Sequence, residues 1–155
     1  MNEKQLRELF EAFCKTAEAL FKQDGYVMSV VFVFGENGDM AFVPMVGNKN
    51  DVQASVRMTI VKLNAAALIF SGETYVVSVP KGGPLPVGEV RNDPRCVEQV
   101  IVTLESRALN MMRAWDIVSS DVAKRYLVPK QQVECPDQVA SRWSGDWFRR
   151  CEGRR

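Results

Sequence analysis

A chain of 155 residues, 46% hydrophobic and 25% charged, has the size and composition of one soluble globular domain with a genuine core. Its formal net charge of +1 gives no global attraction to nucleic acid or to an acidic membrane, and no apolar run approaches the roughly 20 residues of a membrane span. Histidine is absent, which removes the commonest general base and the commonest zinc ligand and excludes triad hydrolases of the usual type and His-ligated metal hydrolases.

The N-terminus, MNEKQLREL, lacks the apolar core of a secretion signal and reads as a charged helix, so the expected location is cytoplasmic. The four cysteines, Cys14, Cys96, Cys135 and Cys151, are widely spaced with no C-x-x-C pair. That argues against a four-thiolate zinc site and for small buried hydrophobes or free thiols. No metal and no cofactor is expected.

Residues 2–22 form the clearest helix. Leu6, Leu9, Phe10, Phe13, Ala17, Leu20 and Phe21 recur at three- and four-residue steps as one apolar stripe. Asn2 with Gln5 makes an N-terminal capping pair, and Asp24-Gly25 supplies the stop. The next stretch, residues 26–45 (YVMSVVFVFGENGDMAFVPM), organises the rest: two apolar runs, Val27–Phe34 and Met40–Met45, flank a polar turn whose Asn37-Gly38 suits a tight hairpin. The first run is apolar at nearly every position, the pattern of a central strand covered on both faces.

After a turn at Gly47–Asn50, residues 51–64 fit either a strand or a helix. Asn50 with Gln53 resembles a capping box and Asn64 a helix end, so helix is the preferred reading. Ala65–Phe70 and Thr74–Val79 read as strands, separated by a turn or bulge at Ser71–Glu73. Residues 80–95, with four prolines and three glycines, form a long loop. Gly82 and Gly83 there offer backbone amides to an anion, without the following helix of a phosphate-binding loop.

Val97–Leu104 and Met111–Val118 read as a second hairpin joined through Glu105–Asn110. Ser120-Asp121 caps a short helical turn, VAKRYL, ended by Pro129. From Pro136 a helix is expected, in which Val139, Trp143, Trp147 and Cys151 recur every four residues among several arginines. Two readings of this end stay open: a helix closing over an open sheet face, or an aromatic and basic contact surface comprising Arg142, Trp143, Trp147, Phe148, Arg149 and Arg150. The same residues suit stacking on and neutralising single-stranded nucleic acid.

No catalytic constellation emerges. Glu105 and Asp116 could approach each other across the 97–118 hairpin, as a metal-binding or proton-sharing pair would, but the same spacing arises in any charged hairpin, and solvated carboxylates are the preferred reading. Cys96 beside Arg95 has the cation that favours a thiolate.

The element order predicts a single α+β domain with a mostly antiparallel sheet, carrying the N-terminal helix, and the second helix with it, on one face. Residues 1–128 make the core and 129–155 a C-terminal helical tail. The opening helix–hairpin–helix–strand order resembles roadblock and profilin-like small regulatory domains, in architecture only. It is also similar to the start of the cytidine-deaminase layout, whose histidine–glutamate and paired-cysteine zinc motif this chain lacks, so deaminase chemistry is not implied. The functional expectation is a non-enzymatic interaction or regulatory protein. Its partner is another protein or a second copy in a homodimer. The alternatives are a nucleic-acid accessory protein that uses the tail, and an enzyme of unfamiliar type with a carboxylate or cysteine site.

Overall fold

The computed structural model describes residues 1–120, 124–130, 132–134 and Trp147. Its first helix, α1 (Glu3–Asp24), begins where the sequence places its cap: Asn2 and Gln5 each accept the other's backbone N–H at 2.9 Å. It stops at Gly25, whose φ of 77° is the left-handed conformation that glycine adopts at low cost, and whose N–H closes on the Phe21 carbonyl at 2.8 Å.

The hairpin follows as strands β1 (Val30–Gly35) and β2 (Met40–Pro44). Then come α2 (Lys49–Leu63), β3 (Ala65–Val76), a 3₁₀ turn (Val90–Asn92), β4 (Val97–Ser106), β5 (Asn110–Ser119), β6 (Arg125–Pro129) and β7 (Val133–Glu134). One antiparallel sheet runs β2-β1-β3-β4-β5-β6, with β7 pairing β5 beside β6. The expected α+β class is what forms, and 51–64 is indeed helical.

Four details differ from the sequence reading. The second helix does not share a face with the first. Phe32, Phe34, Ile69, Val102 and Leu104 turn toward α1, while Val31, Val33, Leu68, Phe70 and Ile101 turn toward α2. Successive strand side chains point to opposite faces, so the uninterrupted apolar runs of β1 and β3 require cover on both.

The cap of α2 is Asn48 rather than Asn50, its side chain accepting the Asn50 N–H at 2.9 Å. Asn64 ends the helix as expected, at a left-handed φ of 46°. Strand β3 runs unbroken through Ser71–Glu73, where a turn or bulge was expected, because each of these residues keeps its partner on β4. Gly72 is required there: a Cβ would lie 2.6 Å from the Ser29 Cα, inside any real contact. Finally, Arg125–Pro129 is strand, not helical turn. The register Ser119↔Arg125 to Trp115↔Pro129 lets Leu127 join the α1 core while Arg125 reaches past it.

Arg125 fastens the C-terminal end of α1 to the sheet. Its guanidinium donates to the Gly25 carbonyl at 2.9 Å and to Glu73 and Glu98 at 3.0 Å each, and lies over the Phe21 ring. Glu73 also accepts the Val27 N–H at 3.0 Å. Farther along α1, Arg113 of β5 pairs with Glu11 and donates to Gln132, and Arg7 pairs with Glu3 and Glu134. The flank of α1 that faces β5, β6 and β7 is thus held by charge.

Candidate functional site

Of the six tail residues expected to form a contact surface, Trp147 is the one described. It is 5% exposed and packs on the α2 face of the sheet with Ile101, Ala114 and Phe70. Its backbone N–H donates to the Glu105 carboxylate at 2.7 Å. As a core side chain it is withdrawn from any partner. Arg142, Trp143, Phe148, Arg149 and Arg150, with the helix expected from 136 and Cys135 and Cys151, lie outside the described residues.

The carboxylate pair considered across the 97–118 hairpin does not form. Register sets Glu105 opposite Asn110 and Asp116 opposite Gln99, so the two acids lie roughly 20 Å apart along the ladder at about 3.3 Å per residue. Glu105 accepts the Trp147 amide, and Asp116 is bound by Gln99 at 2.7 Å and Lys130 at 3.0 Å. Among the described residues no group of three or more Cys, Asp or Glu side chains is placed to hold a metal. The cation beside Cys96 is engaged elsewhere: Arg95 binds Asp93 through Nε at 3.0 Å and Nη2 at 2.8 Å, and donates to the Pro84 carbonyl. That pairing holds the Asp93 carboxyl down at about 2. Cys14 is fully buried beneath α1, and burial pushes its thiol up to about 12, so it is a poor nucleophile at neutral pH.

The 80–95 loop does not form the amide cradle considered above, since the Gly83 N–H turns back to the Pro80 carbonyl at 2.8 Å. A cleft of about 950 Å³ lies between the C-terminal half of α1 and β6. Its floor is Phe21, Trp115 and Leu127, and its rim mixes Lys15, Glu18, Lys22 and Lys124. Charges of both signs select no ligand class. Arg7, Arg91, Arg95, Arg113 and Arg125 each pair with a carboxylate, so none of them adds free positive charge for a polyanion.

The feature that stands apart is the hairpin itself. Helix α1 lies over β3, β4 and β6 and reaches β1 through Phe13, while the same face of β2 stays exposed. There Phe42 is 62% exposed and Met40 55%. Register places them across from Phe32 and Phe34, which are part-buried. The Phe13 ring closes the corner, 4.8 Å from Phe32 and 5.9 Å from Phe34 in edge-on contacts. The Phe42 ring stands 6.5 Å from Phe32.

The flank of α1 bordering this corner carries Gln5, Leu9, Phe13, Thr16 and Leu20, none charged, in contrast to the flank bearing Arg7, Glu11, Glu18 and Lys22. Sequence reading missed the surface because an all-apolar hairpin looks wholly buried. The available signal was the breadth of the α1 stripe: Leu9, Phe13 and Leu20 widen it beyond the face that Leu6, Phe10, Ala17 and Phe21 bury. Compared with protein-family models, with curated proteins and with solved structures, the chain finds no significant match in any of the three.

Proposed function

We propose that this chain is a non-enzymatic protein-interaction module that binds through the open face of the β1–β2 hairpin and the adjoining flank of α1. The observation that carries this reading is the exposed aromatic corner, Phe42 and Met40 beside Phe13, Phe32 and Phe34. Water contact with contiguous apolar surface is costly, and monomeric proteins keep few such patches without a use for them. Aromatic and methionine side chains are also the residues enriched at interface cores. The paired carboxylates and arginines described above serve as structural clamps.

The test is capture from a lysate of the native host, with and without nuclease treatment, on immobilised wild-type protein and on Phe42→Glu. Loss of a specific protein from the Phe42→Glu bait, with the far-UV circular dichroism unchanged, supports the reading. Equal capture by both baits overturns it, and capture that disappears on nuclease treatment transfers the function to the tail arginines and a nucleic acid.

A further inference from the structure

We propose that residues 83–87 of the 80–95 loop are a ligand in polyproline II form for a partner protein whose groove is lined with aromatic side chains. This surface is independent of the hairpin face. The loop leaves the sheet past the Val76–Val97 pair, at the end of β3 away from Ala65 and the β1–β2 turn.

Backbone restriction is the first support. The segment reads Gly83-Pro84-Leu85-Pro86-Val87 and forms neither helix nor strand. Each proline ring fixes its own φ at about −65° and holds the residue before it, Gly83 or Leu85, to extended backbone. Left-handed glycines turn the chain at either end, Gly82 at φ 76° and Gly88 at φ 81°. The base is pinned as well. Arg95, clamped on Asp93, donates to the Pro84 carbonyl at 3.2 Å, and the Gly83 N–H closes on the Pro80 carbonyl at 2.8 Å. A segment held extended before it binds loses little freedom on binding, which is what favours proline-rich ligands.

The second support is the pattern of exposure. A polyproline II helix has three residues per turn, and burial follows that period: Gly83 and Pro86 are part-buried, while Pro84, Leu85 and Val87 face water. Val87 is 99% exposed and Leu85 76%, more than any other large apolar side chain among the described residues. Leu85, Pro86 and Val87 form no hydrogen bond with any described residue. The apolar edge is therefore turned outward on a seated back, as a groove-binding segment requires.

Two other uses of an exposed apolar loop fit less well. Addition to a partner's sheet needs a row of donors. The prolines have none and the Gly83 N–H is engaged, so only Leu85 and Val87 have an N–H to give. A lipid surface is held by clustered cations beside the apolar residues. Here Arg91 pairs with Glu89 and Arg95 with Asp93, and the charges cancel.

The test probes an immobilised array of purified SH3, WW and EVH1 domains, whose aromatic grooves take proline-rich segments, with the full chain. Binding to at least one domain is expected. Leu85→Asp, which removes a contact, and Pro86→Gly, which frees the backbone, are each expected to weaken it by at least about tenfold. Far-UV circular dichroism checks that both variants keep the fold. Phe42→Glu is expected to leave this binding unchanged. Silence across the array overturns the proposal, and so does binding that survives either loop substitution. Binding lost with Phe42→Glu instead belongs to the hairpin face, which keeps that reading and removes this one. Retention of the chain on phosphatidylserine-containing vesicles, lost with Leu85→Asp, would give the loop to a membrane and equally overturn the proposal.

Discussion

Replacing Trp147 with alanine separates a tail that belongs to the core from one that serves as a surface. The indole is 5% exposed. A side chain of about 150–250 Å² buried at about 25 cal/mol per Å² contributes roughly 4–6 kcal/mol. Residual burial in the unfolded chain lowers this to about 3–5 kcal/mol, the range measured when core tryptophans are truncated. The backbone bond to Glu105 does not involve the side chain and is kept on truncation. For a domain of this size, about 2–4 °C is lost per kcal/mol. Trp147→Ala should therefore melt about 6–20 °C below wild type when both are followed by circular dichroism at one protein concentration. In urea the midpoint should fall with an unchanged slope. A melting temperature within about 2 °C of wild type would refute the reasoning and return Trp147 to the solvent-facing surface that sequence spacing allowed.

Gly72→Ala forces a methyl to 2.6 Å from the Ser29 Cα and should cost about 1–3 kcal/mol, as overpacking does; an unchanged urea midpoint would show that the backbones separate freely. Cys14 holds its proton to about 12 in the fold and to about 9 when exposed. Its contribution is therefore complete below pH 9 and is lost as pH rises toward 12, at up to about 1.4 kcal/mol per pH unit. The difference in stability between wild type and Cys14→Ala should shrink over that window, and a constant difference would sink the assignment. Arg125→Met leaves Glu73, Glu98 and the Gly25 carbonyl without their shared donor. With a third of its side chain in water, a loss of about 1–2 kcal/mol is expected. Faster hydrogen exchange at the Gly25 amide would mark the freed end of α1, and unchanged protection would show that other contacts hold it.

The caps and periods of α1 and the β1–β2 hairpin were legible in the sequence because they depend on neighbours a few residues apart. Asn2 and Gln5 bond each other, Gly25 takes a left-handed turn, and Leu6, Phe10, Ala17 and Phe21 repeat on one face. The doubly apolar run of β1 likewise announced cover on both faces. What local pattern does not encode is which partner supplies that cover. The choice of α1 for one face and α2 for the other, the unbroken passage of β3 through Gly72, and the strand at Arg125–Pro129 all depend on long-range pairing. So does the separation of Glu105 from Asp116, which register alone decides. The same holds for the two tryptophan-bearing readings of the tail, since four-residue spacing makes an apolar stripe without saying whether it meets a sheet or water; Trp147 meets the sheet. The hairpin face is the inverse case. Phe42 has the composition of core and becomes surface only because α1 settles over β3 and β4 and stops short of β2.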